Sequence, residues 1–116
     1  MKTYRLYLED ILKAMNKIGN YIHGVRYEDF VDSDIIIDAV IRNFEVIGEA
    51  SKNVPQDIQN EHSHIPWKRM IGLRNIMIHQ YSDVDLSIIW KIATENIPET
   101  KPLIEKLLEQ YLNSGL

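Results

Sequence analysis

The chain has 116 residues, is 45% hydrophobic and 26% charged, contains no cysteine and carries a formal net charge of −4. This is the composition of a folded globular protein, so we expect residues 1–116 to form a single domain. The lack of cysteine excludes a disulfide scaffold, a thiolate zinc site and a cysteine nucleophile. No apolar run approaches the ~20 residues that a membrane span needs, and we expect a soluble cytoplasmic protein.

Apolar residues that recur at three- and four-residue steps predict the first two long helices. The first helix covers about residues 3–23 and stops at Gly24. The second begins after an N-cap at Asp32 or Ser33 and is ended by Pro55. Its predicted buried stripe consists of Ile37, Val40, Ile41, Phe44, Ile47 and Val54. After Pro55 we predict a short turn over residues 56–60.

Three further helices follow in the second half of the chain. Pro66 suits the first turn of a third helix, which we expect to end near His79. Ser82-x-x-Asp85 resembles a capping box and predicts a fourth helix from about residue 84. Pro98 opens a fifth helix, whose apolar stripe reaches Leu112. No alternating strand pattern occurs, so the fold class is all-α, an antiparallel bundle of four or five helices.

Charge is distributed unevenly along this acidic chain. From His62 to Ser82 there is no Asp or Glu, while Lys68, Arg69 and Arg74 give the stretch three positive charges. A basic segment within an acidic protein indicates a local site for anions. Lys68 and Arg69 are therefore candidates for contact with an RNA backbone, although ordinary surface exposure explains them equally well.

The segment Arg74-Asn75-Ile76-Met77-Ile78-His79-Gln80-Tyr81 places a guanidinium, an amide, an imidazole and a phenol close together. Arg74 presents a planar fork that suits phosphate, and His79 exchanges a proton near neutral pH. On a regular helix Asn75 and His79 share a face, so Asn75 could orient His79 or bind a substrate oxygen. These residue types can cleave RNA without a metal, because the attacking 2′-hydroxyl belongs to the substrate.

Structural roles compete with this interpretation. A histidine near a helix C-terminus is favoured there by the helix dipole alone. Arg74 could be a structural ion-pair partner of Glu45 or Glu49. Glu49 lies between Gly48 and an alanine, which allows close approach of another element; it could therefore hold Arg74 or simply belong to the solvated stripe.

A metal site is the weaker alternative. Glu61-x-x-His64 has the spacing of one half of a di-iron bundle site, but such a site needs a second pair that the sequence does not contain. Pro66 also argues against a regular helix at that point. We therefore predict no metal and no cofactor.

The arginine–histidine segment resembles the Arg-x4–6-His motif of HEPN domains, and most closely the Arg-x4-His-x-Tyr motif of the HepT branch. Three further signatures follow the same order as in that branch. They are Ile47-Gly48-Glu49-Ala50-Ser51, then Ile65-Pro66-Trp67 followed by Arg74-Asn75, and finally Asp85-Leu86 leading to Trp90 and Ile97-Pro98. The resemblance therefore covers most of the chain.

This resemblance implies a HEPN-like ribonuclease toxin, of a toxin–antitoxin pair similar to types II and VII, with Arg74 and His79 catalytic and Asn75 and Glu49 supporting them. It also implies a homodimer in which two motifs meet across the interface. The partner it implies is a minimal nucleotidyltransferase antitoxin that transfers AMP to the motif tyrosine, Tyr81 here. A non-catalytic helical subunit that binds a nucleotide or partner beside a nucleotidyltransferase remains the alternative.

Overall fold

The computed structural model describes residues 4–76 and 85–114, and all regular elements within these two stretches are helical. In chain order the helices are α1 (Tyr4–Ile22), α2 (Tyr27–Phe30), α3 (Asp34–Asn53), α4 (Gln56–Glu61), α5 (Trp67–Gly72), α6 (Leu86–Lys91) and α7 (Ile97–Asn113). A 3-10 turn, Leu73–Asn75, follows α5, and a π-helical turn, Ile92–Asn96, joins α6 to α7. The predicted all-α fold class is confirmed, while the single domain and the homodimer stay predictions.

The long helices α1 and α3 form the centre of the bundle, and α7 packs against α1. All six positions of the stripe predicted for the second helix are buried. Burial of each large apolar side chain contributes about 1.5–3 kcal/mol relative to exposure, so this stripe is a main source of stability. Helices α1 and α7 run antiparallel, since the ring of Tyr4 lies 4.7 Å from that of Tyr111 near the end of α7.

The signals between α1 and α3 act largely as predicted. Gly24 ends α1 with a φ of +73°, a conformation that a side chain disfavours. Ser33, rather than Asp32, caps α3, because its hydroxyl accepts a hydrogen bond from the backbone N–H of Ile36 at 3.2 Å. The short helix α2 was not predicted. Its last residue, Phe30, is fully buried and fixes the connection to the core.

The stretch after α3 is helix α4 rather than the predicted short turn. Gln59 of α4 is buried and donates from Nε2 to the carbonyl oxygens of Ser51 and Val54, at 3.3 and 2.9 Å. The Ser51 carbonyl also accepts from the backbone N–H of Val54, whereas the bond to the Val54 carbonyl satisfies an acceptor at the end of α3. Further on, Trp67 Nε1 donates to the carbonyl of His62 at 3.1 Å and joins α5 to the end of α4.

The fourth and fifth predicted helices form one continuous helical stretch, which corrects the expected break at Pro98. In a regular α-helix the ring of Pro98 would collide with the carbonyl of Thr94, and the π turn over Ile92–Asn96 widens the helix just before the proline. Asp85 itself caps α6 by accepting from the backbone N–H of Ser87 at 2.9 Å. Ser82, the other half of the predicted capping box, lies outside the described residues. Leu112, predicted to face inward, is 49% exposed.

Candidate active site around Arg74

Arg74 lies just after the end of α5, which is the third helix that the sequence predicts. Helix α5 stops at Gly72, the next three residues tighten into the 3-10 turn, and Ile76 is extended with φ −83° and ψ 111°. The predicted end near His79 is therefore wrong, because the turn carries half-buried Ile76 against the core and takes the backbone out of the helix. His79 lies outside the described residues, so the shared helix face expected for Asn75 and His79 stays a prediction.

Gly48 lets this turn lie directly on α3. A Cβ atom at Gly48 would be 2.7 Å from both the backbone N and the Cβ of Arg74, and 3.0 Å from the carbonyl oxygen of Ile71. Real Cβ atoms do not approach backbone this closely, so only glycine fits without a shift. The expectation that this small residue permits close approach is confirmed, and the approaching element is the Arg74 turn.

Glu49, the next residue of α3, holds the Arg74 side chain. Arg74 Nη1 donates to Glu49 Oε1 at 2.8 Å, across 25 residues of sequence. The Arg74 side chain is 31% exposed and that of Glu49 is 57% exposed. Of the two partners that the sequence allowed, the structure places Glu49 against Arg74, whereas Glu45 pairs with Arg42 at 2.9 Å. The partly exposed guanidinium has five N–H donors, which leaves donors for a phosphate.

The other polar candidates lie on the outside of the same stretch. Asn75 is exposed in the 3-10 turn directly after Arg74. Lys68 and Arg69 are exposed on α5, and neither makes an ion pair within the described part of the chain. Residues 62–76 thus present cations with no carboxylate of their own, and Glu49 of α3 supplies the carboxylate that Arg74 contacts.

Two predicted site residues, His79 and Tyr81, lie outside the described residues. Asp85 is the first described residue beyond them. The hydroxyl of Ser87 and then its backbone N–H donate to the Asp85 carboxylate and lower the pKa of that carboxyl. Among the described residues, the structure therefore brings together Arg74, Gly48 and Glu49.

Metal-ligating side chains do not cluster in the described chain. Over residues 4–76 and 85–114, no three His, Asp or Glu side chains come together in a way that could hold a metal ion. The rings of His62 and His64 lie 6.0 Å apart as a pair. None of the described helices is long and apolar enough to cross a membrane.

Sequence reasoning missed an open groove of about 1150 Å³ between α4–α5 and the α6–α7 stretch. Lys68 and Arg69 line it, as do Leu73 and Ile76 on either side of the Arg74–Asn75 step. The sequence contains one weak signal for the groove. Pro98 can disturb a helix, and the π turn just before it borders the groove. The walls of the groove come from helices that are far apart in the sequence, and local sequence patterns do not show which helices pack together.

The fold and site define a class of protein: an all-α bundle that presents an arginine, fixed by a glutamate from another helix, within a carboxylate-free segment. The comparison with protein families is more specific. The family model for ribonuclease HepT-like proteins matches residues 11–107. This chain therefore belongs to the HepT-like ribonuclease family, as the resemblance of its motifs predicted.

Individual relatives agree with this assignment. A Thermococcus cleftensis protein named "Probable ribonuclease HepT" is 42% identical over 91% of this chain and 96% of its own length. Two relatives carry the name "Putative RNase": one from Methanocaldococcus jannaschii is 43% identical over 93% of each chain, and one from Caldanaerobacter subterraneus is 38% identical over 95% of this chain and 98% of its own. No solved structure matches the chain.

Proposed function

We propose that this protein is a metal-independent endoribonuclease toxin in which Arg74 and His79 are catalytic. The observation that carries the proposal is the placement of Arg74. Its backbone rests on Gly48, its side chain is held by Glu49 at 2.8 Å, and its guanidinium remains partly exposed. An arginine fixed in this way is preorganised to bind a phosphate, and the family assignment supports RNA as the source of that phosphate.

The reaction needs no external nucleophile. The ribose 2′-hydroxyl attacks the adjacent phosphorus, so that the bond from O2′ to phosphorus forms and the bond from phosphorus to O5′ breaks. His79 takes the proton from O2′ or delivers one to the leaving O5′. Arg74 stabilises the charge that accumulates on the non-bridging oxygens. The products are a 2′,3′-cyclic phosphate and a 5′-hydroxyl end.

The homodimer is part of the proposal. Arg74 of one chain and His79 of the other can serve one phosphate if the two motifs meet at the interface, as the family resemblance implies. Asn75, exposed beside Arg74, then binds substrate or orients His79. Glu49 acts as a positioning residue because it touches Arg74 rather than the substrate.

An RNA cleavage assay in EDTA tests the nuclease. The protein is purified from cells that lack any nucleotidyltransferase partner, and its intact mass is checked for added AMP. We expect the unmodified chain to cleave cellular RNA, and Arg74→Ala and His79→Ala each to lose at least about 100-fold in rate, the usual contribution of such groups.

The matched control is Arg42→Ala. It removes another exposed arginine that pairs with a glutamate of α3, yet lies outside the basic segment. We expect it to cleave at the wild-type rate. If the folded, unmodified dimer cleaves no cellular RNA, the nuclease proposal fails and the alternative of a non-catalytic nucleotide- or partner-binding subunit takes its place.

We further propose that a minimal nucleotidyltransferase antitoxin neutralises the toxin by transferring AMP from ATP to Tyr81. The tyrosine oxygen attacks the α-phosphorus and pyrophosphate leaves, which places a phosphodiester near the basic segment. Incubation with the cognate transferase and ATP should add the mass of AMP to the wild type and to Tyr27→Phe, a control that changes an exposed tyrosine outside the motif. Equal modification of Tyr81→Phe would exclude Tyr81 as the acceptor.

A further inference from the structure

The groove beside Arg74 has an apolar floor. Its volume of about 1150 Å³ is slightly above the range of roughly 300–1000 Å³ usual for small-molecule sites, so space does not limit a nucleotide. Apolar and aromatic side chains from four elements form the floor: Met15, Trp67, Met70, Leu73, Ile97 and Leu103. Such a floor suits a flat, weakly polar group such as the face of a nucleobase.

Gln59 supplies a fixed hydrogen-bond acceptor in this groove. Its side chain is only 9% exposed, and both acceptors at its Nε2 are backbone carbonyls, of Ser51 and Val54. Because a carbonyl accepts and cannot donate, the amide can be oriented in only one way, with Nε2 toward those carbonyls. Oε1 therefore lies on the other side of the amide, and no donor in the described chain reaches it.

Thr100 supplies a second polar group. It is 8% exposed, lines the groove, and its hydroxyl makes no hydrogen bond with another described residue. The hydroxyl is not among the fully buried polar atoms that lack a partner, so it keeps some exposure and is available to a ligand or to water. The Gln59 oxygen accepts hydrogen bonds, and the Thr100 hydroxyl can donate or accept them. Together they give a mainly apolar groove two polar groups, a combination typical of sites for small ligands.

The charge at the rim favours an anionic strand over a second protein surface. Lys68 and Arg69 line the groove without an ion-pair partner in the described structure, and His64 lies beside them. Glu99 is the one carboxylate among the described residues that line it. The groove ends at Leu73 and Ile76, which flank Arg74 along the chain; Arg74 itself packs on α3 next to the groove and does not line it.

We propose that the groove seats a base of single-stranded RNA whose backbone passes Arg74, with Gln59 and Thr100 contacting the edge of the base. Lys68 and Arg69 then neutralise phosphates of the same strand. All four common bases carry an N–H donor on the pairing edge, so Oε1 of Gln59 can accept from any of them. The inference deepens the proposed function, since the strand is the proposed substrate.

The test measures binding without cleavage. The probe is a fluorescent hexanucleotide of 2′-O-methyladenosine, which cannot be cleaved because its 2′-oxygen is blocked, and binding to the full, AMP-free chain is followed by anisotropy at low ionic strength. A hexamer of abasic units carries the same charge and has no bases. We expect the abasic hexamer to bind at least about tenfold more weakly, because stacking and base-edge contacts are missing.

Two variants locate the binding. Gly72 lines the groove, and a Cβ added to it would meet no atom within 4 Å, so Gly72→Phe should fill the groove without disturbing the fold. Thr100→Val removes only the hydroxyl. We expect a loss of at least about tenfold for Gly72→Phe and about fivefold for Thr100→Val, the cost of a lost ligand hydrogen bond.

The controls are matched in chemistry and position. Gly19→Phe adds the same ring at an exposed glycine of α1 that also has open space. Thr94→Val removes a hydroxyl from the same helical stretch, one that donates to the carbonyl of Trp90 at 2.7 Å. We expect both to bind the hexamer within about twofold of wild type, since neither lines the groove.

Several results would overturn the inference. Equal binding of the abasic hexamer, or unchanged binding by Gly72→Phe, would place the RNA elsewhere. A change of oligomeric state in Gly72→Phe, seen by sedimentation, would make the groove a contact between copies. Failure of the proposed nuclease is a separate result: the wild type would bind the hexamer in the groove but leave unmodified RNA uncut.

Discussion

Two arginine–glutamate pairs that include a glutamate of helix α3 differ in what holds them together. Arg42 and Glu45 are three residues apart, and their side chains are 66% and 48% exposed, whereas Arg74 reaches Glu49 from 25 residues away and is 31% exposed. The first pair follows from helix geometry alone. The second exists only because the Arg74 turn rests on Gly48. A local contact thus stabilises one helix surface, while the tertiary contact positions the candidate catalytic arginine.

The largest expected effect comes from breaking that tertiary contact at its base. Gly48→Ala puts a Cβ 2.7 Å from the Arg74 backbone, so we expect a loss of about 1–3 kcal/mol in the free energy of unfolding, as for an overpacked core. Gly19→Ala, in open space on α1, should instead stabilise by about 0.5–1 kcal/mol because alanine favours helix. Urea unfolding measures both. Similar values for the two variants would contradict the close approach.

The next effect concerns activity rather than stability. Glu49→Ala should lower RNA cleavage about tenfold, since Arg74 loses the partner that orients it, while Glu45→Ala should leave the rate unchanged. Glu49→Gln keeps an acceptor and should recover part of the rate. A loss in kcat with little change in melting temperature would identify a positioning role. Equal losses for Glu45→Ala and Glu49→Ala would remove the distinction between the two pairs.

A smaller effect is expected where a local contact stabilises a helix end. Asp85→Ala removes the cap of α6 and should lower the melting temperature by a few degrees at neutral pH. The pKa of Asp85 is lowered in the folded state, so its stabilisation is present above the unfolded pKa and disappears as the pH falls through the folded one. The difference between variant and wild type should therefore shrink under acid conditions. A difference that grows with acid would have the wrong sign.

The smallest expected effect is the difference in coupling energy between the two ion pairs. Double-mutant cycles should give a coupling energy of about 0.5–1 kcal/mol for Arg74 with Glu49 and about 0.3–0.5 kcal/mol for Arg42 with Glu45, because the former pair is less exposed to solvent. Added salt should weaken the more exposed pair further. A larger coupling for the Arg42 pair would show that the tertiary contact orients Arg74 without help from Glu49.

Much of the bundle could be predicted from local patterns. The three-to-four residue spacing predicts the buried stripe of α3, and residue type predicts Gly24 as a stop and Asp32 or Ser33 as a cap, of which the structure selects Ser33. These features depend on neighbours within one or two helical turns. The prediction that α5 would continue to His79 failed because its apolar spacing persists beyond the point where Ile76 leaves the helix.

The candidate site also has features that the sequence predicts and features that only the tertiary structure shows. The residue types of the Arg74 segment, together with three further signatures in the same order along the chain, predict the family, which the comparisons confirm. They left Glu45 and Glu49 as equal partners for Arg74, since both lie on the polar stripe of one helix. Which glutamate pairs with Arg74 depends on where along α3, and on which side of it, the Arg74 turn packs.

The sequence by itself determined the long helices α1, α3 and α7, because hydrogen bonding and apolar periodicity within a helix act over a few residues. The order of its motifs determined the family. Only the tertiary structure decided that Arg74 lies against Gly48 and Glu49, that α6 and α7 join through a π turn, and that a groove opens beside them. These features arise where distant elements meet, and their packing is set by the fit of whole surfaces.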